Sequence, residues 1–404
     1  MWEQIRANKI RSVLVVLFMG LLLVALGYAL GYYFLGSGEG GILVALVIWG
    51  ILNLVALFQG DSILLSMGNA RKVKKEDFPR LYNIVEEMSI ASGLPKIPDI
   101  YVIDDPAPNA FATGRKPENA AIAVTTGLMQ KLNRDELQGV VAHELGHVKN
   151  RDTLLMAIGG ILLGTIVMLA YFASRMLFFG GASGGRRSSR SSGGGGAGQI
   201  IILAVGLVLL ILAPIAARLL YFALSRKREY LADASSALYT RYPEGLASAL
   251  EKIAATPVQL KAANNATAPM YIVNPFRKAG QAVANLTSTH PPISERVRVL
   301  RAMGGASLAD YDTAFKSVRG GRAGGVIPQG ALAAVGAAAL RAPSTEQQPD
   351  TDTEVKRARE ASSAMWKADN YRTVECPCGA KLRIPPGMKA SQVKCPRCDT
   401  VHTL

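Results

Sequence analysis

Four stretches of this chain carry no charged residue over about the length of a membrane-crossing helix: Val13 to Leu35, Gly41 to Phe58, Thr153 to Ser174 and Ile200 to Ala217. A helix needs ~20 apolar residues to cross a hydrocarbon core of ~30 Å, and each run comes close to that. The runs also account for a composition that is half apolar, high for a soluble enzyme. The first run exceeds the roughly 7–15-residue core of a signal peptide and has no clear small-residue cleavage site. A second run follows it at once, so it reads as a retained anchor.

A net charge of +15 in 404 residues raises the question of nucleic acid, but the basic residues have a simpler placement. Arg6, Lys9 and Arg11 precede the first run, Arg71, Lys72, Lys74 and Lys75 follow the second, and Arg226, Lys227 and Arg228 follow the fourth. That is the positive-inside pattern, and it puts these three segments in the cytoplasm. Arg186, Arg187 and Arg190 go against it, since they fall in a Gly/Ser-rich turn between runs three and four that parity makes external. All four cysteines lie in the last thirty residues, which fits a reducing compartment and favours metal ligands over disulfides.

The chain divides accordingly. Residues 1–60 form a transmembrane hairpin, with helices over about 13–35 and 41–58. Residues 61–303 form a soluble-like domain interrupted by a second hairpin, about 153–179 and 200–224. Within that domain, Leu81, Ile84, Val85 and Met88 have the spacing of an amphipathic helix over 77–92. Ile100 to Ile103 and Ala120 to Thr125 read as strands. Asn133, followed by acidic residues, reads as the N-cap of a helix running through His143 and His147. Residues 304–370 read as flexible linker, because Gly320 to Asp352 is rich in Gly, Ala, Pro and Gln without periodicity. Residues 371–404 form a small module of their own.

His143 and His147 stand four apart on that helix, so their imidazoles share a face and can converge on one metal, with Glu144 pointing the same way. Such a site holds zinc and leaves a position for water, from which Glu144 can take a proton as general base. The chain has only four histidines, and two of them are here. A third ligand must come from elsewhere. Glu229 and Asp233 are again four apart, so one can bind the metal while the other receives a hydrogen bond from a ligating imidazole. A cytoplasmic His143 meets Glu229 only if an even number of crossings separates them, and two do.

The segment His143-Glu144-Leu145-Gly146-His147-Val148-Lys149-Asn150-Arg151-Asp152 resembles that of HtpX-like membrane metalloproteases, relatives of the CAAX prenyl endopeptidases. So do Glu229-Tyr230-Leu231-Ala232-Asp233, Asn109-Ala110-Phe111-Ala112-Thr113-Gly114 and His290-Pro291-Pro292, over about residues 1 to 303. The resemblance implies a gluzincin-type core of helices and a small sheet, in a mainly α, multi-pass membrane protein. It implies Glu229 as third zinc ligand, Asp233 orienting a zinc histidine, and proteolysis of membrane or misfolded proteins. It further implies that Asn109, Ala110, Phe111 and Ala112 form an edge strand on which an extended substrate pairs through its backbone. His290 is a candidate donor to the oxyanion. Arg296, one turn into the next helix, reads more readily as a surface ion-pair partner.

Cys376 with Cys378, and Cys395 with Cys398, form two pairs separated by sixteen residues. They read as a zinc ribbon with a second, structural zinc, although the first pair is C-x-C. A module of about thirty residues needs such a staple. From Tyr371 onward it has six basic and two acidic residues. A protein partner is the expected use of this module, with nucleic acid the less favoured reading. The competing function is a membrane-tethered adaptor acting through the module; the intact Glu144 argues against it.

Overall fold

A computed structural model describes residues 2–179, 196–261, 270–273, 290–321, 324–332, 338–346, 348–388 and 391–403. The turn carrying Arg186, Arg187 and Arg190, and Ser288 and Thr289 before His290, lie outside the described residues.

Helices α1 (Trp2–Leu35) and α2 (Gly38–Met67) form a hairpin, with the Ser37 hydroxyl accepting from the Gly40 N–H at 3.0 Å as the N-cap of α2. Their seam is built from small residues. A Cβ on Gly27 would fall 2.5 Å from the Ala45 Cβ, and one on Gly31 would fall 2.4 Å from the Gly41 Cα. Glycines four apart let backbones approach closely, as in helix pairs packed in lipid. The outer faces are apolar: Leu21, Leu43 and Phe58 are 68%, 66% and 73% exposed. Among the described residues, Gly38–Val55 is long and apolar enough to cross a membrane, and Val16–Tyr32 and Leu162–Tyr171 are shorter apolar helical stretches.

The polar domain begins with β1 (Arg71–Lys72), α3 (Pro79–Ser92), β2 (Asp99–Ile103), β3 (Ala110–Thr113) and β4 (Ala121–Thr125). As the spacing predicts, α3 buries Leu81, Ile84, Val85 and Met88. The sheet has the order β1-β2-β4-β3, with β2 parallel to β4 and β3 antiparallel to it. Side chains alternate across a strand, and here both faces are covered. Ile122 and Val124 face the helical core, while Ala121 and Ala123 face Leu64 and Leu65 of α2 and Met156 beyond. The sheet is therefore pressed between the polar domain and the ends of the apolar helices.

After α4 (Thr126–Lys131) comes α5 (Arg134–Lys149), entered through a reciprocal capping box. The Asn133 side chain accepts from the Glu136 N–H at 2.9 Å, and Glu136 accepts from the Asn133 N–H at 2.9 Å. Helix α6 (Asp152–Phe179) packs on α1 through Ile158, Leu162 and Ile166. Helix α7 (Gly196–Thr240) has 45 residues, about 65–70 Å at the usual rise. It exceeds a membrane span about twofold, so its apolar first half leads without a break into a second half that packs along α5. Helices α8 (Pro243–Ala255) and α9 (Ile293–Arg301) complete this layer.

The described parts of residues 304–370 form helices and packed segments where their composition suggests a flexible linker. They contain α10 (Leu308–Val318), α11 (Gln329–Leu332) and α12 (Thr351–Ala368). Helix α10 buries Leu308, Tyr311, Ala314 and Phe315, and α12 buries Ala361 and Met365 in the same core. Residues 338–346 are held by polar groups instead of an apolar stripe, so periodicity is silent about them. The final module is two hairpins, β5 (Arg372–Glu375) with β6 (Lys381–Ile384), and β7 (Gln392–Lys394) with β8 (Val401–Thr403).

Candidate active site

Helix α5 carries His143, Glu144 and His147 into full burial, and α7 runs antiparallel to it with Glu229 and Asp233 opposite. Gly146 makes the approach possible: a Cβ there would meet the Ser235 Cβ at 3.0 Å and the Ala232 Cα at 3.3 Å. Each imidazole is pinned through Nδ1 to a buried carboxylate. His143 Nδ1 lies 3.0 Å from Asp233 Oδ1, and His147 Nδ1 lies 3.2 Å from Asp152 Oδ2. That fixes the rings so that both Nε2 atoms face Glu229, at 3.7 Å for His143 and 3.3 Å for His147. Neighbouring ligands of a tetrahedral zinc with bonds of ~2.0–2.1 Å stand about 3.4 Å apart, which is the spacing found. His143 Nε2 and Glu229 Oε2 are buried with no hydrogen-bond partner, as ligand atoms of a metal site would be. His143, His147 and Glu229 are thus a possible metal site.

The pattern of peptidase family M48 matches residues 75–304, more than half of the chain. The chain belongs to peptidase family M48. Among its relatives, the "Protease HtpX homolog" of Dictyoglomus thermophilum is 46% identical over 303 residues, covering 75% of this chain and 95% of that one. The protein of the same name from Streptococcus pneumoniae is 44% identical over 303 residues, covering 75% of this chain and all of the other. The crystal structure of S. mikatae Ste24p aligns with a TM-score of 0.40 and 20% identity, over 74% of this chain and 67% of that one. As an M48 peptidase the protein is a metalloprotease, and zinc is the metal of that family.

Three more residues stand at the M48 site: Arg296, Asp152 and His290. Arg296 is fully buried, not a surface ion-pair partner. Its Nε and Nη2 donate to the two oxygens of Asp233 at 2.9 and 2.6 Å, and Nη1 lies 3.4 Å from Glu229 Oε2. The signal was available, because Arg296 shares the buried face of α9 with Val299 and Leu300. Asp152 lies just past the H-E-x-x-H segment, and the turn that aims it back passes through Arg151 in the left-handed region, at φ +58°. His290 Nε2 stands 3.7 Å from Glu229 Oε2, at the same cluster.

The electrostatics follow from burial and these pairings. Burial pushes the His143 imidazole down to about 4, against the pull of Asp233. Burial also opposes charge on His147, but its hydrogen bonds to Asp152 and Glu229 prevail and raise it to about 10. Glu144 is lifted to about 8 by burial. Burial would raise Glu229 too, yet His290, His147 and Arg296 hold it well below the usual carboxylate range. These directions describe the metal-free protein, in which protons and Arg296 balance the carboxylates.

Ala110 to Thr113 form β3 at the edge of the sheet, with Asn109 just before it, and the groups of this segment are not equivalent. Asn109 Nδ2 donates to the Val273 carbonyl at 3.0 Å, and the Ala110 carbonyl accepts from the Ile272 N–H at 3.0 Å. Phe111 packs edge-on against Tyr271 with ring centres 5.1 Å apart. The backbone of Ala112 lies beside Glu144 and favours its charged form. In the C-terminal module the four cysteines are unbridged and form a second possible metal site. The Cys376–Cys398 and Cys378–Cys395 sulfurs lie 3.3 and 3.7 Å apart. The edge of a thiolate tetrahedron with Zn–S bonds of ~2.3 Å is about 3.8 Å.

Proposed function

We propose that the protein is a membrane-embedded zinc endopeptidase that cleaves membrane or misfolded proteins on the cytoplasmic side, in protein quality control. The observation that carries this is the pair of histidines locked by Asp233 and Asp152 with both Nε2 atoms turned on Glu229. His143, His147 and Glu229 would hold the metal, which when bound supplies a Lewis acid for the scissile carbonyl and acidifies water. Glu144, one residue along from His143 and buried beside the cluster, accepts the proton of the attacking water and passes it to the leaving nitrogen. His290 donates to the oxyanion from the Glu229 side. Asp233 and Asp152 keep each histidine in the tautomer that leaves Nε2 for the metal.

The membrane part rests on the four uncharged runs, the glycine seam of α1 with α2 and the apolar outer face around it. The basic clusters after α2 and within α7 support a polar domain on the cytoplasmic side. The cysteine module holds a second, structural zinc and recruits a protein partner. Glu144→Gln, followed by metal analysis and a casein cleavage assay, tests the mechanism. Retained metal with cleavage lost is the expected result, and unchanged cleavage would sink it.

A further inference from the structure

The antiparallel pair α5 and α7 has the histidine cluster at one end. Its other end, where α5 begins and α7 stops, is closed by one residue outside the family match. Arg341 Nη2 donates to Asp135 Oδ1 at 2.6 Å and to Gln138 Oε1 at 2.9 Å, both in α5. Its Nε donates to the Thr240 carbonyl, the last of α7, at 2.9 Å. The segment around it is locked in both directions: the Arg341 N–H donates to the Arg241 carbonyl and Arg241 Nε returns to the Ala339 carbonyl, each at 2.9 Å. The Ser344 N–H takes the second oxygen of Asp135 at 2.7 Å.

The grip continues along the first turn of α5. Glu346 accepts from Arg80 and Arg357, and both arginines also donate to the Leu132 carbonyl, each at 2.9 Å, next to the N-cap Asn133. Gln348 Nε2 donates to Glu136 Oε1 at 3.1 Å, inside the capping box. Between the two ends the helices touch closely, with Ser236 Oγ donating to the Gly139 carbonyl at 2.8 Å. Asp135 and His143 are eight residues apart on one helix, about 12 Å. A rocking of α5 against α7 at the Arg341 end therefore moves the imidazoles at the other end by a comparable amount. Metal ligation holds only to about ±0.2 Å.

We propose that residues 338–346 and 348–357 form an intramolecular clamp on the peptidase domain, and that Arg341 is a positioning residue that sets the spacing of His143 and His147 to Glu229. The clamp rests on the zinc reading above and adds to it a control point at the far end of the same two helices.

The test uses the full chain loaded with cobalt, whose thiolate charge-transfer absorption marks the cysteine module and leaves the histidine site to the visible bands. Wild type, Arg341→Ala, Arg341→Lys and Asp135→Asn are compared for cobalt release to a chelator, kcat, KM and Tm. Arg341→Ala should release cobalt from the histidine site roughly ten-fold faster, as for loss of other groups that hold ligands in place. Its kcat should fall with KM unchanged and the thiolate band intact. Arg341→Lys reaches only one of the two helices at a time and should fall between. Release at the wild-type rate in Arg341→Ala, even with a lowered Tm, overturns the clamp and leaves the zinc reading standing. Failure of the wild type to take cobalt at the histidine site overturns both. If Arg341→Ala does not accumulate, Asp135→Asn decides in the same way, since it keeps the side-chain shape and removes the charge that Arg341 meets.

Discussion

His147 is tied through Nδ1 to Asp152, 3.2 Å away, and Asp152 is the first residue of the apolar helix α6. A residue of the histidine cluster is thus anchored on the helix that leads away from the polar domain. The Thr153 hydroxyl donates to the Gly114 carbonyl at 2.6 Å, and Thr113, at the end of β3, donates to Asp61 of α2 at 2.7 Å. The same few residues join the apolar helices to the strand and to the cluster.

Asp152→Ala should therefore weaken metal retention by about 10- to 100-fold, the usual effect of losing a carboxylate behind a ligating imidazole. Asp152→Asn keeps an acceptor for Nδ1–H and should lie closer to wild type. Chelator competition followed by metal analysis measures both.

Zinc uptake should release protons at neutral pH. His147, raised to about 10, carries a proton at pH 7 in the metal-free protein and must lose it to ligate, whereas His143, lowered to about 4, is already neutral. Zinc affinity should therefore rise with pH from 7 towards 10. The sign for metal-free stability is the opposite: the raised His147 contributes fully below its unfolded value of about 6.5, and this is lost as pH rises through about 10. Calorimetry in buffers of different ionisation enthalpy reads the proton count, and no release at pH 7 would contradict it.

Arg296→Met should cost about 3–5 kcal/mol, because it leaves Asp233 buried without its bidentate partner and strips a cation from Glu229. Arg296→Lys should recover only part of this, since one ammonium cannot make the paired contacts at 2.9 and 2.6 Å. Denaturant unfolding of the metal-free variants gives the comparison.

Gly146→Val should destabilise by about 1–3 kcal/mol, because its Cβ alone already meets Ser235 at 3.0 Å and its methyls would push α7 away. Metal content should fall with stability, as Glu229 rides on the displaced helix. An unaltered Tm with full metal content would show that the close approach is not needed.

The i,i+4 spacing of His143 with His147, and of Glu229 with Asp233, made much of the cluster legible, because helix geometry alone puts such pairs on one face. Asp152 was not, since its position depends on a left-handed turn at Arg151 that no periodicity announces. Arg296 was legible in principle from its place among Val297, Val299 and Leu300, but an arginine on an apolar face is usually set down as a surface residue. The sheet strands around Ile100 and Ile122 followed from short apolar runs. The docking of 338–346 did not, because carbonyls and arginines hold it, and those leave no hydrophobic pattern.

The cluster joins His143 and His147, which precede α6, with Glu229, which follows the apolar half of α7. A nascent chain that has emerged only as far as α6 carries the two imidazoles without Glu229. The ligand set closes only after both long helices have been made and brought side by side. Synthesis up to α6 supplies Asp152 to orient His147 but not Glu229, so the three-residue cluster exists only once α7 has been made and packed along α5.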